Sequence, residues 1–166
     1  MKNTIILLFI TMLFQACSPT LSQLKSFDSV VLLKENGLLV SLPNTQVEQE
    51  TYKKYGQSEK AKKLAEKTNE KVKKIMNAFT NNYTFSSVGF STETKPKYNY
   101  IAQITESEIE DSNDRLKKIT EIKIIDNENN ILEKAFVNGQ GRYDNLIKSI
   151  NKKLWNKYNK AQKYLK

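Results

Sequence analysis

Apolar residues fall into three kinds of pattern along this chain. A run near the start, Ile5 to Phe14, is interrupted only by Thr11. Short apolar stretches of strand length then alternate with clusters of Asn, Gly, Ser and Pro. Two later segments, Ala61 to Phe79 and Leu146 to Leu165, instead repeat apolar residues at three- and four-residue steps, the period of a helix with one buried face.

The middle region opens with Val30–Leu33 and Leu38–Leu42, separated by Lys34-Glu35-Asn36-Gly37. An Asn-Gly pair between apolar runs predicts a β-hairpin, because both central positions of a type I′ turn need positive φ. Strands apolar on both faces belong inside a covered sheet. Pro43 ends the second of them, and Thr45-Gln46-Val47-Glu48 has the capping-box spacing that starts a helix. That helix is expected to run to about Tyr55, with Gly56 as a break and Ser58 as a new N-cap. Ala61, Leu64, Ala65, Thr68, Val72, Ile75, Met76 and Phe79 then trace the buried stripe of a long amphipathic helix. Its other faces carry Lys60, Lys62, Lys63, Lys67, Lys71, Lys73 and Lys74, with Glu59–Lys63 and Glu70–Lys74 at the favourable i,i+4 order for pairing.

From Asn81 the pattern becomes β. Tyr83–Phe85 and Val88–Phe90 are rich in strand formers and predict two strand pieces joined by a bulge at Ser86-Ser87, followed by a strand over 97–105. The aromatics Tyr83, Phe85, Phe90, Tyr98 and Tyr100 are expected in core and cross-strand packing. Glu106, Glu108, Glu110, Asp111 and Asp114 form an acidic cluster expected on a solvated loop or short helix without the register of a calcium loop. The runs 118–126 and Ile131–Asn138 predict another hairpin around 127–130. Gly139-Gln140-Gly141-Arg142 then breaks the β pattern before a long helix whose apolar stripe is Leu146, Ile147, Ile150, Leu154, Tyr158, Ala161 and Leu165, with Trp155 at the core margin. The expected fold class is α+β: a mostly antiparallel or mixed sheet of about six strands, with two long amphipathic helices packed on one face.

The first apolar run does not belong to that fold. Lys2 precedes it, Ala16 closes it, and Cys17 follows as the sole cysteine. A basic start, an apolar core of about 7–15 residues and a small residue at the cut make an export signal; a mature spanning helix would need about 20 apolar residues. Phe14-Gln15-Ala16-Cys17 resembles the lipobox of bacterial lipoproteins. Ala16 and Cys17 match it, while Phe14 and Gln15 replace the usual leucine and small residue. The resemblance implies that residues 1–16 are removed, that Cys17 is acylated and holds the chain to a membrane, and that the protein faces the periplasm of a cell envelope. Ser18 in place of an acidic residue points to the outer membrane. An ordinary signal cut after Ala16 and an uncleaved anchor are the alternatives. On the lipoprotein reading, residues 17–28 are a tether and 29–166 a single domain.

The net charge of +9 would suggest nucleic acid for a cytosolic protein, but an exported, tethered chain meets anionic envelope components or an acidic protein instead. The basic surface expected to serve such a partner is Lys63, Lys67, Lys71, Lys74 and Arg142. The chain has no histidine, which removes the commonest general base and transition-metal ligand, and its lone cysteine excludes an internal disulfide framework. No catalytic residue, metal site or cofactor is expected. The reading is a non-catalytic binding or assembly factor; the alternative is an envelope hydrolase or transferase using carboxylates of 106–114.

Overall fold

The computed structural model describes residues 20–93, 98–110 and 116–164. In chain order the elements are α1 (Leu21–Asn36), β1 (Leu38–Ser41), α2 (Gln46–Lys54), α3 (Ser58–Asn82), β2 (Val88–Ser91), β3 (Tyr100–Glu110), β4 (Leu116–Asp126), β5 (Ile131–Asn138) and α4 (Tyr143–Tyr164). The fold is α+β, as expected. Its sheet has five strands in the order β2-β1-β3-β4-β5, parallel at β1–β2 and β1–β3 and antiparallel at β3–β4 and β4–β5. Among the described residues, five strands and four helices stand against the expected six or so strands and the two long helices plus the shorter one ending near Tyr55.

The missing strand is the first one. Val30–Leu33 lies on α1, so no hairpin forms around Asn36-Gly37. Thr20 and Gln23 start this helix with a capping box: the Gln23 N–H donates to Thr20 Oγ1 at 3.3 Å and the Thr20 N–H to Gln23 Oε1 at 2.9 Å. Phe27, Val30 and Leu33, three residues apart, are its buried residues. Gly37, at φ +80°, ends it by donating to the Leu33 carbonyl at 3.0 Å. Residues 21–28, expected to be tether, are thus the first turns of the fold. Phe27 stacks on Tyr164 of α4, with ring centroids 5.8 Å apart.

Tyr83–Phe85 is not a strand either. Phe85 is fully buried and meets Trp155 and Tyr158 edge-on at 5.3 and 5.8 Å. Most of the remaining boundaries lie close to those expected, although β3 runs on to Glu110 where the strand was expected to end at about 105. α3 starts at Ser58 itself, with Gln57 as its N-cap, β5 spans Ile131–Asn138, and α2 ends at Lys54. Thr45 is the N-cap of α2, but its side chain makes no capping bond; its hydroxyl bonds Thr68 on α3 at 2.9 Å, and Asn44 Oδ1 accepts from the Gln46 N–H at 3.0 Å.

One core joins the layers. Val30 and Leu33 of α1, Ile75, Ala78 and Phe79 of α3, and Leu146, Ile147, Ile150 and Leu154 of α4 cover the sheet face that carries Tyr100, Ala102, Ile122 and Ile124. The opposite face is partly covered too: Leu39 is buried, and Tyr98 lies close over Gly89 beside it. Trp155 sits at the core margin, as its sequence position implied. Lys34 of α1 reaches its ring, with Nζ 4.4 Å from the centroid, and donates to the Phe85 carbonyl. Among the described residues, no helix is long and apolar enough to cross a membrane.

Candidate functional site

The core-facing side of β3 changes character along its length. Tyr100 and Ala102 are buried, Ile104 is partly buried, and the same face then continues as Glu106, Glu108 and Glu110. The acidic residues expected on a loop are therefore strand residues as far as Glu110, while Asp111 and Asp114 lie outside the described residues.

Glu106 is the point where four parts of the fold meet. Tyr143, the first residue of α4, donates its hydroxyl to Oε1 at 2.5 Å. Lys71 of α3 donates Nζ to Oε2 at 2.9 Å. The Gly141 N–H, in the turn between β5 and α4, donates to the same carboxylate. Burial works to raise the Glu106 pKa, but these donors and the Lys71 charge outweigh it and hold the carboxyl below its usual range. The reciprocal effect falls on Tyr143: burial first, and then the adjacent carboxylate, push its phenol upward. Thr120, paired with Glu106 across the strands, is fully buried and donates to the Gly139 carbonyl at 2.8 Å.

Gly139 and Gly141 both take positive φ, at 103° and 71°. One amide of the turn is already engaged by the protein's own carboxylate. A glutamate kept ionised in this way has no proton to donate near neutral pH, and with an ammonium bonded to it is a poor proton acceptor. Lys118 pairs with Glu108 at 3.3 Å on the same strand pair. Among the described residues, no cluster of three or more metal-ligating side chains converges.

The predicted basic residues divide between two neighbouring hollows. Lys67, Lys71 and Lys74 line a recess of about 220 Å³ with Glu70, Glu106, Gln140, Gly141 and Tyr143. Lys60, Lys63 and Lys67 line a groove of about 370 Å³ together with Tyr52 of α2, Leu64, Glu66 and Glu70. Both belong to one row: Lys60, Lys63, Lys67, Lys71 and Lys74 recur at three- and four-residue steps, about 21 Å of helix. Arg142 does not join it, because its side chain folds back against Gly139 and lies outside the lining of both hollows. The expected Glu59–Lys63 and Glu70–Lys74 ion pairs do not form; of the row, only Lys71 bridges to a carboxylate among the described residues. Cys17 lies outside the described residues.

A second carboxylate is paired that the sequence pattern does not single out. Glu133, on the edge strand β5, turns toward α4 and binds Lys157 at 2.8 Å and Lys153 at 3.4 Å. Burial tends to raise its pKa, but Lys157, the Lys134 N–H and Lys153 together hold it low. The signal available was a single Glu in an otherwise apolar and basic strand facing a lysine-rich helix. It closes the edge of the sheet against the helix. Comparison with protein-family models, with curated proteins and with solved structures returns no match for the chain.

Proposed function

We propose that this protein is a lipid-anchored, non-catalytic binding or assembly factor on the periplasmic side of a bacterial outer membrane, held there by acylated Cys17 and contacting an anionic partner through α3. The observation that carries the partner assignment is the row Lys63, Lys67 and Lys74. It is exposed along the flank of a helix whose buried stripe is fixed in the core, and none of the three is paired with a carboxylate among the described residues. With Lys60, these make four lysines in one line without a carboxylate partner among the described residues, a positive field suited to a polyanionic surface or an acidic protein. The state of Glu106 supports the non-catalytic reading, since the best-placed acid of the acidic segment serves to tie elements together.

Crosslinking in cells, with Lys63→Glu, Lys67→Glu and Lys74→Glu combined, tests the assignment. The expected result is a partner captured by the wild-type protein and lost from the triple variant, at unchanged protein level. Equal capture by both would exclude α3 as the binding face. The anchor is tested separately by intact mass of the membrane-extracted protein, which should exceed the mass of the chain from Cys17 onward by the acyl groups. Full function of a soluble Cys17→Ser form would count against an envelope-anchored role.

A further inference from the structure

The lipid anchor and the start of the fold are close in the sequence, and the structure makes that closeness informative. Only Ser18 and Pro19 separate Cys17 from Thr20. Three residue steps span at most about 11 Å even when fully extended. Thr20 is itself fixed as the cap of α1 by its reciprocal bonds with Gln23. A chain acylated at Cys17 therefore cannot hold this domain at a distance; the start of α1 must stay within about 11 Å of the acylated residue.

The elements around that turn determine what the bilayer would meet. Phe27 stacks nearly parallel on Tyr164, at an interplanar angle of 7°, which brings the end of α4 beside the beginning of α1. Further along, Lys34 lies over Trp155, so the two helices run in opposite directions. The turn between β4 and β5 closes the same end. Lys25, Ser26 and Ser29 of α1 share a cavity of about 440 Å³ with Asp126, Glu128 and Leu132. Lys25, Lys160 and Lys163 are exposed, and Tyr164 is half exposed. After Asp144 the sequence of α4 contains no acidic residue, against six lysines. Asp28, Asp126 and Glu128 supply the opposing charge on the α1 and β4–β5 side of this end, while the α4 side carries lysines alone. An amphipathic aromatic among lysines is the composition of a surface that sits at headgroup level.

The far end of the strands is different. β5 pairs with β4 only as far as Asn138 opposite Ile119, so β3 and β4 continue beyond it as a two-stranded arm to Glu110 opposite Leu116. Ile109 and Leu116 there are 45% and 69% exposed. β3 runs eleven residues from Tyr100, beside Ser29, to Glu110 on that arm, about 34 Å.

We infer that the end of the fold where α1 begins and α4 finishes is a membrane-docking face seated on anionic lipid headgroups, and that the β3–β4 arm points away from the bilayer. This rests on the lipid-anchor reading, and it adds an orientation that the anchor alone does not specify. A single acyl attachment leaves a domain free to turn, whereas a basic face beside it is the second signal that fixes a pose.

The test uses the full-length acylated protein in phosphatidylethanolamine vesicles containing phosphatidylglycerol. A fluorophore is placed at Lys160→Cys or Leu116→Cys, both exposed positions, and quenched by headgroup nitroxide lipid. Quenching at 160 is expected to exceed that at 116 several-fold, and to fall when phosphatidylcholine replaces phosphatidylglycerol. Equal quenching, or stronger quenching at 116, in a sample whose mass shows the acyl groups overturns the orientation and leaves the anchor standing. Quenching at 160 that is indifferent to the lipid charge overturns the headgroup contact. Absence of acyl mass overturns both readings.

Discussion

The hydroxyl of Tyr143 donates to Oε1 of Glu106 across 2.5 Å, joining the first residue of α4 to the strand β3. It is made where the apolar core ends, one inward position beyond Ile104. A carboxylate there would ordinarily weaken the fold. Here it receives donors from the phenol, from Lys71 and from the Gly141 amide, so the same charge fixes α3, the turn after β5 and α4 against the sheet.

Tyr143→Phe removes one hydrogen bond to an ionised acceptor and leaves the ring in place. The unfolding free energy should fall by about 1.5–3 kcal/mol. Lys71→Met should cost less, about 0–1 kcal/mol, because the lysine side chain is a third exposed and solvent screens the pair. Urea titrations with an unchanged slope and midpoints in the order wild type, Lys71→Met, Tyr143→Phe would bear this out. The reverse order would show that the ammonium, and not the phenol, is the main partner.

Acid should destabilise the protein through its low-titrating carboxyls. Glu106 and Glu133 both have folded pKa values below their unfolded ones. Their contribution is complete above the unfolded carboxyl value of about 4.3 and disappears as the pH falls through the folded values. Thermal midpoints should accordingly drop on going from about pH 5 to about pH 3. Glu106→Gln with Glu133→Gln should start lower at neutral pH and show a shallower decline. A wild-type midpoint that rises on acidification would contradict the assignment.

Legibility in the sequence followed the strength of local signals. α3, α4, β5 and the turn 127–130 were readable because long 3.6-residue periodicity and flanking turn residues have one interpretation each. Val30–Leu33 has two, since four consecutive apolar residues suit a buried strand as well as a helix. The deciding feature was Thr20-x-x-Gln23, a capping box ten residues upstream of Val30. Gly37 has positive φ either way, so it could not decide between helix end and hairpin turn. At the site, the acidic segment and the lysines of α3 were both visible as charge, but the pairing of Glu106 with Lys71 depends on a contact 35 residues apart. Charge spacing along one helix predicted pairs at Lys63 and Lys74 that do not form, because the energy at stake in exposed i,i+4 pairs is only a few tenths of a kcal/mol.

Lys34 offers a test of the junction between α1 and α4. Its ammonium lies 4.4 Å from the Trp155 ring centre and 5.3 Å from that of Phe85, and it donates to the Phe85 carbonyl. Lys34→Met preserves the stem and removes the charge. A loss of about 1–2 kcal/mol is expected from the cation–π and hydrogen-bond terms together. Being only partly exposed, the interaction should survive high salt. A wild-type advantage abolished by salt would reduce it to a surface charge effect.

Gly37 and Gly56 separate backbone strain from steric conflict. Both have positive φ, at 80° and 73°. A Cβ at Gly56 would meet nothing within 4 Å, whereas one at Gly37 would run into the Ser87 hydroxyl and approach the Ser87 carbonyl oxygen to 3.1 Å. Gly56→Ala should therefore cost about 1–2 kcal/mol, the penalty of a left-handed residue alone. Gly37→Ala should cost at least about twice that, because the helix end is pinned to the start of β2 through Leu38 N–H to Ser87 O at 2.9 Å and cannot retreat. Ser87→Gly in the Gly37→Ala background should recover part of the difference, since it deletes the colliding hydroxyl and leaves the carbonyl. In a double-mutant cycle the coupling is then favourable and larger than about 0.5 kcal/mol. Equal losses at the two glycines, with no coupling to Ser87, would mean that α1 and β2 can move apart here and that their junction is looser than the hydrogen bond implies.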